Sequence, residues 1–176
     1  MNEGLFAYMH RLELMAFFSG YALLYAFVHF IFGNQQLKNN AWRNVISLLP
    51  FSYALVGTLY LGLQLKNLYP NYSVEHIKLT MQQPWLVLWA LLSIAFWVPA
   101  LGKKVVFSLL HSCVFFFFLL KDLFVQFSSS SSDGNIVRND MKIYTCSLIL
   151  NLGAFGLIVL LSFLFTSYKK HSIAFH

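Results

Sequence analysis

Charge is what this sequence has least of. Asp, Glu, Lys and Arg make up 10% of its 176 residues, against about 25% in ordinary soluble domains. So thin a supply cannot coat a globule of this size, so lipid must cover part of the surface. Acids are scarcer than bases, six against twelve, for a formal net charge of +6. In a soluble chain that excess would raise nucleic acid as a partner. Here no basic patch is interleaved with stacking aromatics, and the positives stand at the ends of apolar runs. Membrane topology and lipid headgroups account for them, and no nucleic acid is expected. Cysteine is almost missing: Cys113 and Cys146 both fall inside apolar runs, without CxxC or Cys/His spacing. That argues against a disulfide framework and a zinc site. There is no Ser/His/Asp set, paired carboxylate or glycine-rich phosphate loop. His10, His76, His171 and His176 gather into no metal site. No catalytic residue is assigned, and the chain reads more readily as a non-enzyme.

What is present is apolar and aromatic: 59% of residues are hydrophobic and 18% are Phe, Trp or Tyr. Residues 105–127, VVFSLLHSCVFFFFLLKDLFVQF, would cover roughly 34 Å as a helix, enough for the hydrocarbon core of a bilayer. Four other runs, residues 14–32, 45–64, 84–101 and 143–166, complete an expected fold: an all-α, polytopic integral membrane protein, one five-helix bundle over residues 1–176. The first run is read as a retained helix and not a cleaved signal, because no charged region and cleavage site frame it. Pro50 falls in the second turn of the second run, where its missing hydrogen bond costs least, and Pro84 opens the third. The join at Gly102-Lys103-Lys104 is short enough to make the third and fourth runs an antiparallel hairpin. A surface helix is expected over residues 73–82, capped by Ser73 with Val74, Ile77 and Met81 on one face. Residues 128–135 are a serine-rich linker with no assigned role.

Helical spacing puts Ser19, Ala22, Ala26 and His29 on one face of the first span, a pattern that admits a close neighbour. Ala54, Thr58 and Gly62 do the same in the second span, and Gly153 and Gly156, beside Asn151, in the fifth. Trp42, Trp85, Trp89 and Trp97 read as interface belts. Ionisable groups at depth are costly and turn towards the protein. His29 and His111 qualify, and by helical rise they lie at similar depths. Three readings compete. In the first, each imidazole bonds to a hydroxyl or backbone carbonyl, with Ser108 and Ser112 flanking His111. In the second, the pair ligates a b-type haem whose propionates meet Lys38, Arg43, Lys103 or Lys104. In the third, His111 and Asp122 begin a proton or ion path. Asn151 is expected to bond across to a neighbouring helix.

Five helices with a histidine pair resemble, in plan and not in motif, the membrane anchors of quinone-linked dehydrogenases. No family follows from the residues. The leading expectation is a non-catalytic subunit or scaffold of a membrane complex in the cell (inner) membrane, without a cofactor. It would bind lipid and a membrane-protein partner or a second copy. A haem b or quinone electron carrier and a small transporter or channel are the alternatives. Lys and Arg divide equally between the two faces, whereas Glu3, Glu13, Glu75, Asp122, Asp133 and Asp140 all fall on one. That favours an outside N-terminus and a cytoplasmic C-terminus. Tags placed at Met1 and His176 are therefore expected to report from opposite sides of the membrane in a protease-protection assay.

Overall fold

The computed structural model describes residues 3–32, 40–70, 72–73, 84–128 and 134–173. Among these every regular element is helical: α1 (Glu3–Phe18), α2 (Tyr21–Phe32), α3 (Asn40–Ser47), α4 (Leu49–Leu68), α5 (Pro84–Leu91), a 3-10 stretch (Leu92–Trp97), α6 (Pro99–Gly102), α7 (Val105–Ser128) and α8 (Gly134–Ile173). Three stretches, Arg11–Phe32, Arg43–Leu68 and Lys142–Tyr168, are long and apolar enough to cross a membrane; Pro84–Trp97 and Val105–Lys121 are apolar but shorter. The chain thus carries the helices of a membrane protein. Phe27, Phe30, Phe117, Phe163 and Phe165 stand exposed on its outside, where lipid and not water is the fitting neighbour. The expected surface helix over residues 73–82 lies outside the described residues, apart from Ser73.

Several helices are broken, each for a local reason. The first span is not one helix from Leu14. It begins at Glu3 and breaks at Ser19-Gly20. The Ser19 hydroxyl donates to the Met15 carbonyl at 2.6 Å, a back-bond that competes with the helix ladder and bends it. The freed Gly20 N–H is taken up by Ser147 Oγ of α8 at 2.9 Å. Glycine is required there: a Cβ would stand 2.7 Å from the α8 backbone at Ser147 and Leu148. In the second span a turn at Leu48 separates α3 from α4, so Pro50 enters at the first turn of α4 and not in the second turn of a longer helix. There its missing N–H costs nothing.

The third span departs most from expectation. Instead of running to Leu101 it tightens into the 3-10 stretch at Leu92 and stops at Val98, whose ψ of 124° is extended. Val98 precedes Pro99, and the proline ring disfavours helical geometry in the residue before it. This 3-10 stretch packs extensively against α4. They approach closely because a Cβ on Gly57 would run into the Ser93 hydroxyl. Trp97 Nε1 also donates to Thr58 Oγ1 at 3.0 Å. The fourth run is a single helix, α7, of 24 residues, and α8 runs for 40.

The core is one cluster drawn from α1, α2, α3, α4, α5, the 3-10 stretch, α7 and α8, with Phe18, Tyr21, Leu49, Tyr53, Tyr60 and Ala90 fully enclosed. Its serines largely satisfy themselves: Ser52, Ser93, Ser108 and Ser112 each donate to a carbonyl three residues back. Gly20→Val is expected to destabilise the protein by about 3 kcal/mol or more, because backbone and not a side chain must yield. Gly62→Ala, where a Cβ meets nothing within 4 Å, should be neutral or stabilising by up to about 1 kcal/mol. Thermal unfolding in detergent compares the two.

Candidate functional site

Ser108, His111, Ser112 and Phe115 recur at helical spacing and give α7 one polar-aromatic face directed into the bundle. His111 is the centre of it. Its Nδ1 lies 2.8 Å from the Tyr53 hydroxyl of α4. Its ring lies flat on Trp89 of α5, with centroids 4.6 Å apart and planes 4° from parallel. Phe96 meets the imidazole edge-on at 5.9 Å, and Phe115 tilts against it at 6.4 Å. Trp89 Nε1 donates to the His111 carbonyl at 3.2 Å. One residue of α7 is therefore held through both ring and backbone.

A second phenol lies beside the first. The rings of Tyr21 and Tyr53 are 4.3 Å apart, and the Tyr21 hydroxyl shares a 2.7 Å hydrogen bond with Ser108 Oγ. Buried tyrosines find partners for their hydroxyls, and here both partners come from α7. The His111–Tyr53 bond has two possible senses. When Tyr53 donates to Nδ1, Nε2 carries a proton. When Nδ1–H donates to the phenol oxygen, Nε2 offers a lone pair. In both, Nε2 is enclosed without a hydrogen-bond partner among the described residues. The pair can exchange a proton between phenol and imidazole, but no carboxylate or thiol is bonded to it among the described residues.

The two imidazoles are not brought together. His29 stands on the exposed side of α2, stacked on Tyr25 at 5.9 Å. No ring contact or hydrogen bond among the described residues joins it to His111. A haem between them would need His29 to turn from the outer face through the bundle, while the Tyr53 bond at Nδ1 leaves Nε2 as the nitrogen of His111 open to a ligand. Among the described residues no three His, Cys, Asp or Glu side chains come together as a metal site. Ser19 and Ala22 are buried, whereas Ala26 is exposed, so the small-residue face of the first span meets the bundle only at its start. Asn151 Nδ2 donates to the Phe17 carbonyl of α1 and to the Ser147 carbonyl, each at 2.8 Å. Asp122 lies on α7, but its side chain is outside the described ones, so a path from His111 to it has no contact to rest on.

Sequence reasoning passed over Tyr21 and Tyr53, and it placed Trp89 in an interface belt, whereas its half-buried ring covers His111. The available signal was chemical: a tyrosine at mid-span needs a partner for its hydroxyl, and a mid-span histidine is the obvious one. Fold and site together define a helical membrane protein whose helices are tied by a histidine–tyrosine–tryptophan cluster. Beyond that class, no protein-family model matches the chain, and neither a curated protein nor a solved structure was found similar to it.

Tyr53→Phe leaves His111 Nδ1 unpaired and is expected to cost about 1–3 kcal/mol. A double-mutant cycle with His111→Phe should return a coupling of about 1 kcal/mol. Both are measured by unfolding in mixed micelles. A coupling near zero would show that the bond contributes nothing to holding α4 and α7 together.

Proposed function

We propose that the chain is a non-catalytic subunit of a larger membrane assembly. It crosses the cell (inner) membrane five times, with its N-terminus outside and its C-terminus cytoplasmic. The outer face of α8 receives a helix from a partner protein or from a second copy. One observation carries this reading: α8 holds two glycines that none of the described residues packs against. A Cβ on Gly153 or Gly156 would meet no atom within 4 Å. Each glycine costs the helix about 1 kcal/mol relative to alanine, and no packing among the described residues offsets it. Small residues at this spacing are what a closely approaching transmembrane helix needs. The surroundings agree. The membrane-crossing part of α8 is the most apolar of the three long stretches, yet 17% of it is buried, against 44% and 50% for the other two. Leu152, Leu157 and Leu160 flank the glycines and are exposed.

Lipid alone could cover such a face, and the experiment separates the two occupants. The wild-type protein, extracted in mild detergent, is expected to migrate as a complex with one membrane partner or with itself. Gly153→Leu/Gly156→Leu should keep the wild-type melting temperature and migrate as a single chain. A wild-type protein that is already a lone chain before and after chemical cross-linking in intact membranes would remove the proposal.

A further inference from the structure

Apart from the His111 site, a second set of polar groups lies inside the bundle without a role. The Tyr60 hydroxyl, both amide atoms of Gln64 and the Oδ1 of Asn151 are buried without a hydrogen-bond partner among the described residues. These are not surface groups: Tyr60 is 0%, Gln64 2% and Asn151 1% exposed. Tyr60 and Gln64 are one turn apart on the same face of α4. Asn151 reaches that neighbourhood from α8 through Phe17: it donates to the Phe17 carbonyl at 2.8 Å, while the Tyr60 ring meets the Phe17 ring edge-on at 5.5 Å. Helical rise puts Phe17, Tyr60 and Asn151 in one layer, with Gln64 one turn nearer the membrane face. Phe17 is roughly 9 Å in from Arg11, Tyr60 roughly 12 Å in from Leu68, and Asn151 roughly 13 Å in from Lys142. On the five-pass path these three reference points share one membrane face.

That layer has a charged approach. Arg11 and Glu13 of α1 are half-buried above it. Glu13 is within electrostatic reach of Tyr60, and the Arg11 guanidinium lies 5.2 Å from the centre of the Phe118 ring. A bundle set in lipid has no outside solvent to satisfy such groups, so they must meet a polar occupant inside. Their chemistry says which. The Gln64 amide supplies two donors and an acceptor, the Tyr60 phenol both roles, and Asn151 Oδ1 an acceptor. A mixed set carrying no formal charge at its centre suits a small neutral molecule that donates and accepts equally, and buried water typically makes about three such bonds. We propose that Tyr60, Gln64 and Asn151 form an internal water-binding site between α1, α4 and α8, entered from the membrane face where Arg11 and Glu13 stand. It goes beyond the docking role of α8, because it lies on that helix's inner side and needs no partner.

The test uses the whole chain in lipid bilayers, with Cys113 and Cys146, both exposed, replaced by serine. Tyr60→Cys is compared with Leu59→Cys, which lies at the same depth on the outer, 46% exposed face, and with Val56→Cys in the closed core. A small charged methanethiosulfonate reacts with thiolates, which form only where water is present. It is expected to label Tyr60→Cys at least about tenfold faster than either control. Equal rates at residues 59 and 60 overturn the proposal. A wild-type measurement guards against a misfolded variant. In water-edited solid-state NMR, magnetisation from water should reach the Gln64 and Asn151 side-chain amides about fivefold sooner than the Val56 methyls. Transfer as slow as at Val56 would show a dry layer in which the amides bond to one another, and the site would be withdrawn.

Discussion

A tyrosine hydroxyl with no access to solvent has to find a partner inside the protein, and the centre of this bundle is arranged around that need. Tyr53 is fully enclosed. Its ring touches Phe18 of α1, Tyr21 of α2, Phe96 of the 3-10 stretch and His111 of α7. The hydroxyl points to the imidazole, and the imidazole is in turn covered by Trp89. Five elements thus meet at one side chain. Between helices in lipid the hydrophobic effect gives little net attraction, because tails are as apolar as leucine. Dispersion, edge-to-face ring contacts and a few hydrogen bonds carry the association instead. The stacking of Phe18 on Phe115, at 4.8 Å, extends the same device deeper into the bundle.

Breaks in the helices serve this packing. At Ser19-Gly20 the chain bends, and the backbone N–H released there is captured by Ser147 of a helix remote in sequence. At Leu92–Trp97 the narrower 3-10 winding brings Ser93 against Gly57 and places Phe96 and Trp97 on α4 and its neighbours. Irregular backbone at membrane depth survives only where protein covers it, and both breaks lie against packed helices.

The apolar runs were legible because their signal is long and redundant: residues 105–127 could lose several members and still read as a helix. The break at Val98 was written in the Val-Pro dipeptide, but an apolar run masked it. The partners of His111 were harder. A hydroxyl partner for the imidazole was expected, and Ser108 and Ser112 were the hydroxyls flanking it on its own helix. Instead both satisfy carbonyls of their own helix, and the imidazole turns to Tyr53, 58 residues away. Spacing along one helix shows which residues share a face, but not which other helix that face will meet. The same limit explains the glycines. Gly153 and Gly156 looked like contact points and meet nothing among the described residues, while Gly20, in no noticeable stripe, lies directly against the backbone of α8.

The unequal lengths of the apolar helices bear on the lipid around them. The apolar part of α8 runs for 27 residues, roughly 40 Å, against a hydrocarbon slab of about 30 Å. With six residues in the wider-pitched 3-10 form, Pro84–Trp97 spans roughly 24 Å, and Val105–Lys121 roughly 25 Å. Under the five-pass arrangement, acyl chains beside α8 must stretch or the helix must lean, while those beside α5 and α7 must shorten. The protein would then sit as a wedge in hydrophobic thickness, drawing longer tails to one flank and shorter tails to the other.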